Sequence, residues 1–357
     1  MRAGLVGCGR MGSFTSDAVK QFAPSCWFPL SHAEAISVQN DIELFGICDS
    51  NRENLDRSSA IYPNAQRFDT HQALLEKCNP DLVALATRTV GRADMMLDCA
   101  ISGVRALHVE KPLCNSVAEL GRLKPLFADP DMFVTLGAIR RHMPVFRQAQ
   151  KIASAGSLGE IQEISVNFGP GALYWSHPHS VDLALFFAWP QKPVAVQARL
   201  DNVEIDRDLP SRIISDPTVV AATIWFEGGI VARIGRTAGC DVIIGCQLGT
   251  VAVRSDGHVL EVSQSSDGNP YFSRSVVDVP EPEGPMGTAL AIGQLVNCLL
   301  GQDAAISANA VVKADILLGQ SVLFAMVESH LNGNRPFAIA DIRSDLEVLA
   351  RNGDFFA

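Results

Sequence analysis

Gly7-Cys8-Gly9-Arg10-Met11-Gly12, entered from the apolar run Ala3-Gly4-Leu5-Val6, is the stretch on which the reading of this chain turns. It fits G-x-G-x-x-G, follows a strand-like run and precedes a helix-like one. Glycines there permit a tight turn and leave no side chain where a pyrophosphate would lie. The N–H groups of the following helix start would then bind the phosphates. Alone, such a loop is a tight strand–helix turn. At the first strand of a βαβ pattern it predicts a dinucleotide site, with Gly7, Gly9, Arg10, Met11 and Gly12 as contacts.

Working outward, apolar runs recur at residues 43–49, 81–87 and 104–109, the last ending in Glu110-Lys111-Pro112. Helical stretches separate them, such as residues 92–102, which Gly103 stops. Near-continuous apolar strands alternating with helices imply a parallel sheet covered on both faces. Asp49 ends the second run, where a carboxylate can accept both ribose hydroxyls and repels a 2′-phosphate, favouring NAD over NADP. Ser50 and Arg52 follow and can hold a phosphate, which leaves NADP open. The acid should lie about 20 residues beyond the loop. Here the separation is 49 − 12 = 37. The surplus falls within residues 14–30, and a new helix start with capping-box spacing follows at Ser31-His32-Ala33-Glu34. A lip over the cofactor or substrate cleft and a plain surface elaboration are the two readings of this insertion.

The pattern changes after about residue 160. Residues 161–168, 193–202, 219–226, 230–235, 242–248 and 250–254 read as closely spaced strands, with Glu227-Gly228-Gly229 as a hairpin turn. Helices are expected over residues 144–155, 180–188, 287–300 and 308–331, and an exposed loop over 267–283. The expected fold is α/β: a dinucleotide-binding Rossmann domain over residues 1–121. An α+β substrate and oligomerisation domain follows over residues 122–357, with an open, mostly antiparallel sheet and C-terminal helices.

Composition agrees with a globular chain: 357 residues, 47% hydrophobic and 19% charged. A net charge of −10 gives no general attraction to phosphate backbones or anionic lipid, which argues against nucleic acid and membrane as partners. Nine irregularly spaced cysteines without a Cys-x-x-Cys read as reduced thiols, neither a disulfide framework nor a zinc site. No signal-peptide pattern and no membrane-length apolar run stand out, so a cytoplasmic location is expected.

The run into Val109-Glu110-Lys111-Pro112-Leu113, after the glycine loop and Ala86-Thr87, resembles the Gfo/Idh/MocA oxidoreductases. Gly137-Ala138-Ile139-Arg140-Arg141-His142-Met143-Pro144 is similar to that family's N-R-R-F-x-P segment, and His179-Ser180-Val181-Asp182-Leu183 to its H-x-x-D-L helix start. Ser154-Ala155-Gly156-Ser157-Leu158-Gly159-Glu160 is similar to its A-G-x-I-G-E turn. The resemblance implies hydride transfer to or from a sugar or polyol carbon, and a homodimer or homotetramer formed through the C-terminal sheet.

It also implies roles for particular residues. Lys111, past a strand's carboxyl end, would hold the substrate oxygen and lower a neighbouring base's pKa, with Glu110 orienting it. His179 is the candidate general acid/base, because imidazole titrates near neutrality. Thr87, Arg88, Glu110 and Lys111 join the cofactor contacts; Lys111, Arg140, Trp175, His177, His179 and Asp182 form the candidate substrate set.

The chain departs from the family in two places. Trp175 stands where an acid is usual, four positions before His179; with Tyr174 and His177 it suggests an aromatic stacking wall. His177 and His179 without a third ligand make a metal a poor expectation. Arg88 and Arg92 replace a proline and a histidine; they bind an anionic group, or at least one is a solvated helix-start charge. These departures keep two alternatives open: a reductase of a carboxylated semialdehyde or imine, and a non-catalytic dinucleotide sensor.

Overall fold

A computed structural model describes residues 1–265, 271–279 and 284–350. The chain divides into two compact units, Met1–Ile139 with Gly284–Leu317, and Arg140–Glu283 with Leu318–Arg351.

The first unit carries a parallel sheet of six strands: β1 (Arg2–Val6), β2 (Glu43–Cys48), β3 (Gln66–Phe68), β4 (Leu82–Leu85), β5 (Ala106–Val109) and β6 (Phe133–Leu136). Their order is β3-β2-β1-β4-β5-β6, which places the reversal of strand order at the β1/β4 junction. β1, β4, β5 and β6 are almost wholly buried, as strands covered on both faces must be. Leu5, Ile36, Ile47 and Leu82 pack in one core with Ile292 and Leu295 of the helix Thr288–Leu299.

Two expectations are corrected here. The first unit does not end at residue 121, because β6 pairs with β5 in register Ala106↔Phe133 to Val109↔Leu136. It is also not contiguous, because residues 284–317 return to it. β6 is an edge strand, and side chains of the helix Asp303–Leu331 cap it. Asn309 behaves as a strand partner: Val134 N–H donates to its Oδ1 at 3.1 Å, and its Nδ2 donates to Val134 O at 2.9 Å. Lys313 Nζ donates to the carbonyls of Asp129 and Met132 at 2.6 and 2.7 Å. That helix is also a correction. It is 29 residues long, and an 18-residue window of it is apolar enough to cross a bilayer, yet most of that window is buried inside the protein.

The second unit holds a nine-stranded sheet. Its strands are β7 (Ile161–Asn167), β8 (Pro193–Asp201), β10 (Thr218–Phe226), β11 (Val231–Gly235), β12 (Asp241–Cys246), β13 (Gly249–Arg254), β14 (Val259–Ser265), β15 (Phe272–Val277) and β16 (Phe337–Ala338). The order is β15-β14-β13-β12-β7-β11-β10-β8-β16, and only the β7–β11 pair is parallel. β9 (Arg212–Ile213) and β17 (Glu347–Val348) form a small separate ladder. Residues 272–277 are therefore strand where a loop was expected; residues 267–270 and 280–283 of that expected loop lie outside the described residues.

The insertion after the glycine loop is laced to the first unit at both ends. Thr15 Oγ1 donates to Glu34 Oε2 at 2.8 Å, and Arg57 stacks over Phe14 at 3.5 Å. Backbone N–H groups of Gly287, Met286 and Thr288 donate to the carbonyls of Cys26, Phe28 and Pro29. Ser31 caps the helix His32–Ser37, but the reciprocal capping-box bond is replaced. Glu34 Oε2 takes the hydroxyls of Ser31 and Thr15 instead of a backbone N–H.

Candidate active site

The glycine loop leaves the carboxyl end of β1. Gly7 has φ +95°, a left-handed value that favours glycine, and its N–H donates to Cys48 O at 2.8 Å. A Cβ on Gly12 would lie 1.8 Å from Gly7 O, so the turn closes only on glycine. Gly9 is different: a Cβ there meets nothing within 4 Å, which leaves open space over the loop where a pyrophosphate can approach the backbone. The residues present therefore fit a dinucleotide.

The helix that follows is shorter than expected. It is a single turn, Arg10–Ser13, ended by Phe14 in an extended conformation, because the insertion begins there. A helix this short adds little macrodipole, so the cradle rests on loop N–H groups. Arg10 and Met11 are half-buried in that turn.

Asp49 closes the cradle from β2. Its Oδ2 accepts Cys8 N–H and its Oδ1 accepts Asn51 N–H, each at 2.7 Å. The carboxylate thus ties the two loops together, and each oxygen retains acceptor capacity toward a ribose. Ser50 and Arg52 are exposed beside it, with Arg52 opening the helix that Asn51 caps.

At the ends of β4 and β5, Thr87 is half-buried and Arg88 exposed, while Arg92 is buried at 2% exposure. Arg92 is neither a solvated charge nor an anion site. Its guanidinium donates to the carbonyls of Thr87, Glu110 and Pro112, clamping the two strand ends together. Burial pushes its pKa down to about 10, with Glu110 opposing. Glu110 is buried, accepts Lys111 N–H on Oε2 at 3.2 Å, and accepts His32 Nε2 on Oε1 at 3.0 Å. Burial alone would raise its pKa; the His32 hydrogen bond and the charges of His32, Lys111 and Arg92 outweigh that and hold it below the usual carboxylate range. His32 was not among the residues singled out from sequence. Its only signal was its place one residue after the Ser31 cap.

In the second unit His179 is the third residue of the helix His177–Ala188 and is half-buried. The aromatic wall is corrected. Tyr174 and His177 are fully buried, and only Trp175, 38% exposed, faces solvent. Tyr174 packs edge-on against Phe324 and accepts Gln320 Nε2 at 3.2 Å. His177 hydrogen-bonds with Ser180 Oγ at 3.1 Å. Burial pushes its pKa down to about 4.

Arg140 and Asp182 are engaged elsewhere than expected. Arg140 makes a two-pronged bridge to Asp256 at 2.6 and 2.9 Å and lies over Phe168, so its fork is already occupied by a carboxylate. Asp182 holds Arg141, with Nε to Oδ1 at 2.8 Å, and does not cap its own helix. Asp216, another residue the sequence did not flag, accepts the backbone N–H groups of Tyr174 and Trp175 at 2.8 and 3.1 Å. It thereby fixes the turn that presents Trp175.

The parallel sheet, its glycine cradle and the acid after β2 define a dinucleotide-binding Rossmann protein. Residues 1–138 match the GFO_IDH_MocA model, described as an oxidoreductase family with an NAD-binding Rossmann fold. A myo-inositol 2-dehydrogenase of Thermotoga maritima is 22% identical over 160 residues, 45% of this chain and 42% of that protein. The alignments thus span less than half the length of the curated relatives. Among solved structures, an Agrobacterium radiobacter oxidoreductase in complex with NAD+, L-tartaric acid and magnesium superposes with TM-score 0.72 at 17% identity. It covers 96% of this chain and 99% of that one. The WlbA dehydrogenase of Bordetella pertussis, with NADH and UDP-GlcNAcA, gives 0.69 at 21% identity over 94% and 98% of the two chains. These likenesses establish a shared fold.

Proposed function

We propose that this chain is an NAD(P)-dependent dehydrogenase or reductase acting on a CH–OH or carbonyl carbon of a sugar, polyol or sugar derivative. The observation that carries the reading is the first unit's sheet end. The open cradle at Gly9 follows β1, and Lys111, with its backbone N–H on the carboxylate of Glu110, follows β5. Bound nicotinamide supplies the two-electron hydride acceptor or donor. Gly7, Gly9 and Gly12 hold the pyrophosphate, Asp49 the ribose, and Thr87 borders the cofactor. Lys111 is assigned to the substrate oxygen and His179 to the hydroxyl proton, which it takes in oxidation and returns in reduction. Asp49 favours NAD. Assembly as a homodimer or homotetramer through the nine-stranded sheet belongs to the same reading.

A carboxylated substrate is the second reading. It is favoured by the exposed Arg88 beside Thr87 and by Trp175 in place of an acid. The similar proteins point both ways, toward inositol in one and toward tartaric acid or a nucleotide-linked sugar acid in others.

The test is absorbance at the reduced-nicotinamide band across polyols, sugars and sugar acids, with Lys111→Ala and His179→Ala alongside. Turnover that falls at least 100-fold in both variants is expected. NAD+ binding without turnover on any compound would assign the chain to the sensor class instead.

A further inference from the structure

We propose that His32 is a positioning residue for Lys111: through its bond to Glu110 it holds that carboxylate in place beneath the Lys111 backbone. The inference rests on the proposed redox reading for its consequence, but its geometry lies wholly within the first unit.

His32 sits on the helix that follows the insertion, not on the sheet that carries the site. It is fully buried. Its ring meets His108 of β5 edge-on at 4.5 Å and 67°, and His108 is itself hydrogen-bonded to Thr135 of β6 at 2.9 Å. A carboxylate accepts hydrogen bonds, so Nε2 of His32 carries the proton in its 3.0 Å bond to Glu110 Oε1. The other carboxylate oxygen accepts Lys111 N–H.

Glu110 has no slack. A Cβ on Gly137 would lie 2.7 Å from Oε1, so the backbone just past β6 closes in on the carboxylate. The charged and titratable groups that bear on Glu110 are His32 from its helix, Lys111 from its own chain and Arg92 from the neighbouring helix. Arg92 engages the Glu110 backbone carbonyl, not its carboxylate. His32 is therefore the side-chain hydrogen-bond donor to that carboxylate among the described contacts. Without it, a buried carboxyl group loses a charge-assisted bond. It then either takes up a proton or turns away, and in both cases Lys111 loses an anion fixed against its backbone.

The role predicts which substitutions are tolerated. His32→Phe keeps the ring and removes the donor. His32→Gln keeps a donor and removes the ring. The chain is labelled at the glutamate carboxyl carbon with carbon-13, and the Glu110 resonance is assigned by its loss in Glu110→Gln. Titration by NMR then reads the carboxyl group directly, with no need for turnover. The Glu110 midpoint is expected to rise by about one to two pH units in His32→Phe, and by less than half of that in His32→Gln.

With whichever substrate of the panel is turned over, the acidic limb of kcat should move upward by the same interval in His32→Phe. KM for NAD+ should stay within about threefold, because the cradle is intact. An unmoved Glu110 midpoint in folded His32→Phe would overturn the inference, as would failure of His32→Gln to restore it. If His32→Phe does not fold, the His32→Gln titration against wild type decides alone, a rise of the full interval being the negative result. Absence of turnover across the panel removes the redox reading and leaves the titration to judge the positioning contact.

Discussion

Acidification should loosen the second unit by way of two buried imidazoles, His142 and His177. His142 is 5% exposed; burial, and then the nearby charges of Arg141 and Arg147, push its pKa down to about 3. His177 is fully buried and pushed down to about 4, with a hydrogen bond to the Gly171 backbone pulling the other way. In the unfolded chain both titrate near ~6.5. The folded values are the depressed ones, so below ~6.5 the unfolded state binds more protons. The stabilising effect is whole above that pH and drains away as pH falls toward the folded values. At pH 5 the folded rings are still neutral. Each pH unit below ~6.5 costs about 1.4 kcal/mol per ring, so each histidine accounts for about 2 kcal/mol and the pair for about 4. That is a large part of the roughly 5–15 kcal/mol that holds a typical domain together. The assay is urea unfolding at pH 8 and pH 5, followed by tryptophan fluorescence. Trp175, Trp189 and Trp225 lie in the second unit and only Trp27 in the first. His142→Gln and His177→Gln should each reduce the pH 8 to pH 5 difference by about 2 kcal/mol. A variant that folds at pH 8 yet loses as much stability as wild type at pH 5 would refute the argument for that residue.

Three further outcomes are expected. Arg92→Lys cannot reach the carbonyls of Thr87, Glu110 and Pro112 together, and should destabilise the first unit by about 3 kcal/mol, measured by urea unfolding. Gly9→Ala meets no protein atom within 4 Å, so its thermal midpoint should stay near wild type while NADH affinity, read by fluorescence titration, falls roughly tenfold or more. Equal loss of both would place Gly9 in the packing instead of the site. Asp49→Asn keeps an acceptor for one backbone N–H but removes the negative charge, and should shift the NADH-to-NADPH affinity ratio toward NADPH by roughly tenfold, measured by paired titrations.

What could be read in advance divides along locality. The glycine loop, Asp49 and the runs that became β1, β2, β4 and β5 declare themselves because their requirements are met by adjacent residues. β3 is three residues, Gln66-Arg67-Phe68, with no apolar run to mark it. β6 lies past the residue at which the parallel pattern was expected to stop, and the contacts on its outer edge come from a helix 175 positions later. Arg92 shows why charge type alone misleads: an arginine that clamps three carbonyls and one that waves in water are the same letter. Tyr174, Trp175 and His177 are neighbours in sequence, but Asp216 pins the bend so that the ring of Tyr174 goes inward and that of Trp175 stays at the surface. His32 reaches Glu110 across 78 positions, through an insertion whose course no local pattern dictates.

The non-contiguous build of the first unit has a consequence for the chain as it is made. Asn309, whose side chain covers the edge strand, leaves the ribosome 309 − 134 = 175 residues after Val134 of that strand. At typical elongation speeds of about 5–20 residues per second, that is an interval of roughly 10–35 s. Throughout it Val134 has its main-chain groups bare, and the nascent nucleotide-binding half waits with an apolar flank and an open ladder edge. Asn309 is the side chain that closes this edge at Val134 once it has been made, through both its amide oxygen and its amide nitrogen.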